Sequence, residues 1–480
     1  MEVEKMSKLT ERPGFIERYF ELQKYGTNVR TEILAGVTTF ISIAYILILN
    51  PQILADPFMI MGDTALAGQI SNGVFIGTCI GAFIGTILVA LYARLPFAQA
   101  PGMGLNAFFA YTVVLAMGYS YSQALVVVFI SGILFIVITA VGLREAIIRS
   151  IPQAVKTAIT PGIGLFITII GLKNSGLVVG NSATLVSMVD FAQWQNPDAD
   201  LTAVKSALVA VIGLLIMGVL HARKVKGSIL IGIVASTVVG IPLGVTQVSN
   251  LSFDIGSKFS DFMEVSFFHL DFAGLFAGEN LLQSLFTVTM LVISFSLVNM
   301  FDSIGTLLGA AKQSGMMDEN GEVIHMKQAL MSDAISTAAG ALVGTSTVTT
   351  VVESSAGIAA GGRTGLTSLV TAGLFLLSMV FAPVVGIVPG AATAPALIFV
   401  GILMLSNIRD VDFGDMTEAL PAFCTIVFMP FTYSIANGVA VGLITYCIMK
   451  LFTGKVREIQ PLAAVVSLIF ILRYAFMTLG

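Results

Sequence analysis

The chain has 480 residues, of which 56% are hydrophobic and only 11% charged, and its net charge is −4. A soluble domain usually carries about 25% charged residues, and apolar runs of membrane length recur from Ile33 to the C-terminus. These runs are continuous rather than alternating, which excludes a soluble globular core and argues against a β-barrel. Cys79, Cys424 and Cys447 all sit in apolar runs, so neither a disulfide framework nor a metal cluster is expected, and no basic surface suggests nucleic acid.

Residues 1–32 form a charged tail with six of the 24 basic residues. The tail lacks an apolar core followed by a cleavage site, so the first membrane helix is expected to act as the insertion signal. Within it, Phe15 to Tyr25 suits an amphipathic helix lying on the membrane surface. The apolar pattern then predicts fourteen spans, at 33–54, 74–94, 98–118, 123–143, 156–173, 204–222, 227–246, 283–311, 328–344, 346–363, 366–386, 391–408, 416–432 and 434–452. A last run, 461–478, contains Arg473 and fits either a span or an interfacial helix. The loops 174–203 and 247–282 are long, and neither reads as a separate domain.

This division places 20 of the 24 lysines and arginines on the N-terminal side. Lys173, Lys205 and Lys258 fall opposite, and Arg473 is unassigned. Such a bias marks the cytoplasmic side and puts the N-terminus there, in the plasma or inner membrane. Fourteen spans divide as seven and seven, and an odd number per half makes the second half enter from the opposite face. The expected fold is therefore an all-α polytopic membrane protein built from 7+7 inverted repeats. Two spans at matching positions are interrupted. Span three opens with P-G-M-G-L-N-A (Pro101 to Ala107), and span ten opens with T-S-T-V-T-T-V-V-E-S-S-A-G (Thr345 to Gly357). β-Branched residues favour extended backbone, so a short extended segment is predicted in each, facing the other at mid-membrane.

Two acids within the spans stand out. Asp302 lies in the middle of span eight, on one helical face with Asn299 and Thr306. Glu353 lies where the extended part of span ten turns into helix, so that free N–H groups could stabilise it. Buried acids cost roughly 2.5–3.5 kcal/mol on insertion scales and are rarely idle. With no intramembrane base nearby, the pair disfavours an anion and suits a neutral, planar, donor-rich ligand, with H⁺ or Na⁺ as coupling ion. Asn106 offers donor and acceptor together, and Phe108 offers a ring for stacking. Tyr45 and Asn50 in span one read as structural, and Asp410, Asp412, Asp415 and Glu418 as a solvated acidic loop.

Several stretches together resemble the AzgA-like purine permeases of the nucleobase transporter superfamily. They are E-I-L-A-G-V-T-T-F (Glu32 to Phe40), A-Y-I-L-I-L-N-P (Ala44 to Pro51), A-P-G-M-G-L-N-A-F-F (Ala100 to Phe109) and F-D-S-I-G-T-L-L-G (Phe301 to Gly309). The span-ten stretch with G-G-R-T-G (Gly361 to Gly365) completes the set. The resemblance implies a proton-coupled symporter that imports adenine, guanine or hypoxanthine, with no cofactor beyond the coupling proton and no enzymatic activity. It implies a core (substrate) domain at 33–145 and 283–388, and a gate domain at 146–246 and 389–452 that also serves as a dimer surface. An extracellular loop, 247–282, and a C-terminal segment, 453–480, complete the division. Asp302 and Glu353 match the family's substrate and proton acids, and Asn106 its third-span polar residue. Where the wider uracil and xanthine branch has a histidine and an asparagine, this chain has Thr306 and Ser354, and Ser354 joins the expected substrate contacts. The alternatives are an anion or sulfate carrier on the same fold, or a channel or intramembrane enzyme.

Overall fold

The structure, a computed structural model, describes residues 14–142, 152–196, 200–248, 255–277, 281–314, 316 and 323–477. Residues 1–13 of the tail, with Lys5, Lys8 and Arg12, lie outside them, as do Arg144 and Arg149. The first helix, α1 (Phe15–Tyr19), is shorter than the amphipathic pattern suggests. The chain turns after it, with Glu21 and Gly26 both at positive φ.

The long helices overlap the expected apolar runs without sharing their bounds, α4 for example starting ten residues before its run. The first run holds α2 (Val29–Ile43) and α3 (Ile46–Ile60), and α4 (Thr64–Leu88) follows. Strand β1 (Gln99–Pro101) leads into α5 (Met103–Ala107), which widens to a π-helical stretch over Phe108–Ala116. Next come α6 (Tyr121–Ala140) and α7 (Gln153–Asn174), then a hairpin of β2 (Val178–Asn181) and β3 (Leu185–Met188). Two more long helices, α8 (Thr202–Ala222) and α9 (Ser228–Gly240), end the first half.

The loop between the halves contains α10 (Ile255–Asp261) and α11 (Phe272–Leu275). The second half begins with α12 (Leu281–Ser314) and α13 (Met326–Leu342). Strand β4 (Val348–Thr350) leads into α14 (Ser354–Ala359). The remaining helices are α15 (Gly365–Leu377), α16 (Ala382–Val385), α17 (Gly390–Leu405), α18 (Met416–Phe431), α19 (Ile435–Phe452) and α20 (Pro461–Met477). Among the described residues, eight helices are long and apolar enough to cross a membrane, and further apolar helices are shorter.

Packing sorts the helices into two groups. In one, α2 meets α14 and α15, α3 meets α4, α4 meets α13 and α15, and α6 meets α12 and α13. In the other, α7 packs on α17 and α18, α8 on α9 and α17, and α19 on α18 and α20. The groups touch where α5 and α12 meet α7, α3 meets α17 and α2 meets α9. Within the first group the contacts are close enough to require glycine. A Cβ on Gly357 would sit 2.7 Å from the Ala35 carbonyl and collide with Thr39, so this position lets α14 lie directly on α2.

Two stretches that carry the family resemblance meet here. Glu32, fully buried at the start of α2, accepts from the backbone N–H of Arg363 at 2.9 Å and the hydroxyls of Thr364 and Thr367 at 2.9 and 2.6 Å. Its carboxylate thus satisfies donors at the start of α15 that have no partner within the helix. The acidic loop is not simply solvated: Asp415 pairs with Lys455 at 2.9 Å, and Glu418 with the buried Lys450 at 2.8 Å.

Candidate functional site

The site grows from the two interrupted spans. β1 and β4 pair antiparallel, Gln99 opposite Thr350, Ala100 opposite Thr349 and Pro101 opposite Val348. The backbone of Gly102 donates to Thr347 at 3.1 Å, and that of Val351 donates to Ala98 at 3.1 Å. Side chains close much of the remaining backbone. Gln99 donates to the Thr86 hydroxyl at 2.9 Å, Thr337 donates to the Val348 carbonyl at 3.2 Å, and Ala98 donates to Ser354 Oγ at 3.0 Å. Interrupted backbone in a membrane core persists only when its polar groups are satisfied from inside the protein, and these bonds go toward that requirement. Only three residues on each side are extended. By Glu353 the chain already has helical dihedrals, φ −61° and ψ −16°.

On the β4 side the anchor is an acid that the sequence reading passed over. Asp333 on α13 is fully buried. It accepts from Thr350 N at 2.9 Å, Thr349 Oγ1 at 3.0 Å and, on its other oxygen, Ser303 Oγ at 2.5 Å. Ser303 adjoins Asp302, so this carboxylate ties the extended strand to the helix carrying the other acid. The signal in the sequence was its hydroxyl-rich setting, S-D-A-I-S-T (Ser332 to Thr337), with T-V-T-T later in the chain.

On the α5 side the anchor is an amide pair. Asn106 Nδ2 donates to Asn50 Oδ1 at 2.6 Å, and Ser346 Oγ donates to Asn106 Oδ1. Asn50 in turn donates to Thr78 at 2.7 Å and to Thr345 at 2.8 Å. Asn106 and Asn50 are both fully buried. Asn106 therefore spends its donor and acceptor inside the protein.

The two acids expected to act are placed differently. Glu353 is half-buried, and Tyr45 donates to its Oε1 at 2.6 Å. Its neighbour Val352 is 55% exposed, so the chain here borders open space rather than packed protein. Asp302 is also half-buried, and its Oδ2 lies 3.6 Å from where a Cβ on Gly102 would stand. The helix bearing Asp302, α12, contacts both α5 and α14. Among the described residues neither acid forms an ion pair.

Of the expected substrate contacts, Asp302 and Glu353 thus face the crossing with accessible surface. Asn106, Ser354 and Phe108 do not: all three are fully buried, and the Phe108 ring packs against Phe295 with centroids 4.8 Å apart. Tyr45, read as structural, instead touches Glu353 directly. Asn299 does not accompany Asp302 as a free amide; it donates to Thr337 at 3.0 Å. A cavity of about 590 Å³ lies elsewhere, between α3 and α17, lined by Gln52, Asp56 and Thr393 among others.

Residues 30–441 match the permease family. The chain is 42% identical to the adenine permease AdeP of Escherichia coli strain K12, over 97% of both chains. It is 39% identical to the guanine/hypoxanthine permease PbuO of Bacillus subtilis strain 168, over 95% of this chain and 99% of that one. In structure it resembles the transmembrane domain of the cyanobacterial bicarbonate transporter BicA, with a TM-score of 0.57 at 18% identity, over 85% of this chain and 96% of that one. That likeness concerns the fold, a many-helix membrane transporter fold. Sequence match over most of the chain and a fold of this kind agree with the motifs gathered at the crossing: the chain belongs to the permease family, as a member of its AzgA-like branch.

Proposed function

We propose that this protein is a proton-coupled symporter that imports purine nucleobases such as adenine, guanine or hypoxanthine. The observation that carries the reading is the pair Asp302 and Glu353, two half-buried acidic residues at an interrupted crossing, neither in an ion pair among the described residues. Ionised carboxylates accept hydrogen bonds only, and a purine edge offers N–H donors that they can grip. An anion would meet repulsion there, so the anion-carrier alternative has only the fold in its favour. The names of the relatives supply the substrate class, since adenine and guanine/hypoxanthine permeases align along nearly the whole chain.

Coupling follows from the same atoms. A carboxyl that takes a proton exchanges an acceptor for a donor, so the proton on Glu353 or Asp302 decides which base edge can bind. Tyr45, donating to Glu353 Oε1, fixes that oxygen and leaves the other toward the ligand. In this reading Asn106, Asn50 and Asp333 hold the crossing, and Ser354 fastens α14 to β1. The fourteen spans form two inverted sevens. Residues 33–145 and 283–388 act as the moving core and 146–246 and 389–452 as the gate, whose outer face makes a homodimer. The N-terminus is cytoplasmic. Uptake of labelled adenine, guanine and hypoxanthine into cells or proteoliposomes at two pH values tests this. Saturable uptake that rises at the acidic external pH is expected; uptake of bicarbonate or sulfate in its place would overturn the reading.

A further inference from the structure

The cavity between α3 and α17 is not part of the crossing. Asp56 lines it, one residue before Pro57 in α3, whereas Tyr45, the partner of Glu353, lies just before that helix begins. Eleven residues of helical rise separate them by about 16 Å, too far for one base to touch both. At about 590 Å³ the cavity is within the size range of small-molecule sites. Leu49, Ile53, Met59 and Leu397 give it apolar walls, and Asp56 is its one acid.

Asp56 is only partly engaged. Its Oδ2 accepts from the Tyr111 hydroxyl at 2.5 Å and weakly from Asn174 Nδ2 at 3.4 Å, while among the described residues nothing donates to Oδ1. No lysine or arginine among them pairs with it. One helical turn before Asp56, Gln52 reaches across to the facing wall, where it donates to the Val388 carbonyl at 2.7 Å and accepts from Thr393 at 2.5 Å. These bonds join α3 and the π-helical stretch of the first group to α7 and α17 of the second. The cavity is therefore framed by the seam between the two helix groups.

We propose that Asp56 forms a second, weaker subsite for the transported base, a capture site on the path to Asp302 and Glu353. The chemistry is that of the central pair: an acceptor-only carboxylate for N–H donors, with apolar walls for a flat ring. The proposal rests on the purine reading. It also explains why Asp56 is shared with Tyr111 and Asn174. A base that draws on this carboxylate competes with the bonds fastening the seam, so arrival of the ligand loosens the contact that movement must break.

Equilibrium binding of radiolabelled adenine, guanine and hypoxanthine to the purified full-length protein in lipid nanodiscs tests this. The wild type is expected to bind two bases per chain with unequal affinity, and Glu353→Gln to retain the weaker one. Adding Asp56→Asn to Glu353→Gln should remove that remaining binding, with a weakening of about tenfold or more. Tyr111→Phe removes a competing donor and should strengthen the weaker site, the opposite direction to Asp56→Asn. A merely structural role would instead make both substitutions weaken binding together, which overturns the proposal. So does complete loss of base binding in Glu353→Gln, or ²²Na⁺ binding that disappears with Asp56→Asn while base binding stays. If the wild type binds no purine base at all, the functional reading falls first and this one with it.

Discussion

The two half-helices that meet at the crossing occupy matching places in the chain but carry different side chains. The first, α5, brings Asn106, an amide closed into a buried network with Asn50 and Ser346. The second, α14, starts at Glu353, a half-buried carboxylate beside an exposed Val352. The fold supplies a strand and a half-helix twice, and the two copies differ in the polar residue they carry. The copy with an amide closes it into a buried network, and the copy with an acid leaves it half-buried, in hydrogen bond with Tyr45, where the proposed ligand would bind.

The strongest way to break this comparison is Glu353→Gln. The change is nearly isosteric, keeps an acceptor for Tyr45 and removes the charge. Base uptake should fall by about 100-fold, the order expected when a charge-assisted bond is lost, and its pH dependence should vanish, while surface expression stays normal. Unaltered pH-dependent uptake would place the coupling elsewhere. Asp333→Asn comes next, since it weakens an acceptor that serves three well-made bonds. A stability loss of about 2–4 kcal/mol is expected, read as a lower midpoint of thermal unfolding, with uptake falling in parallel. Lost uptake at full stability would move Asp333 from the scaffold to the ligand.

Asn106→Ala leaves Asn50 and Ser346 partly unpaired and should cost about 1–3 kcal/mol, with a modest change in the concentration of base giving half-maximal uptake. If that concentration rises as much as in Glu353→Gln, Asn106 binds the base and the contrast between the half-helices fails. The smallest effect is expected outside the membrane. Lys455 at 2.9 Å, together with the Thr417 N–H at 2.8 Å, holds the Asp415 carboxyl below the usual carboxylate range. With the folded value depressed, the pair's contribution is present above the unfolded value of about 3.9 and is lost only as pH falls through the folded one. Asp415→Asn should therefore leave the pH profile of uptake between about 5.5 and 7.5 unchanged, and a shift in that profile would show that the site acids are not its source.

Much of this arrangement was legible in the sequence because physical chemistry restricts it. The β-branched run before Glu353 disfavours helix, and the chain is extended at Val348–Thr350. Acids in apolar runs are conspicuous, and Asp302 and Glu353 lie on or beside elements that flank the crossing. What sequence spacing conceals is which polar atoms already have partners. Asn106, Phe108 and Ser354 looked available on their own spans, yet Asn50, Phe295 and Ala98 occupy them. Tyr45 looked structural because its acceptor lies 308 residues away. Asp333 was passed over for the same reason: most of its donors arrive from a strand that follows it, and only the folded chain aligns them.

The pairing of β1 with β4 bears on how the protein is made. Gln99 and Thr350 are 251 residues apart, so the first interrupted span is synthesised long before its partner exists. Until the second half arrives, the backbone around Gln99–Pro101 has no strand to bind, and lipid offers no substitute for one. Neither half can close this ladder alone. The first interrupted span must therefore wait for the second half before the short pairing that completes the crossing can form.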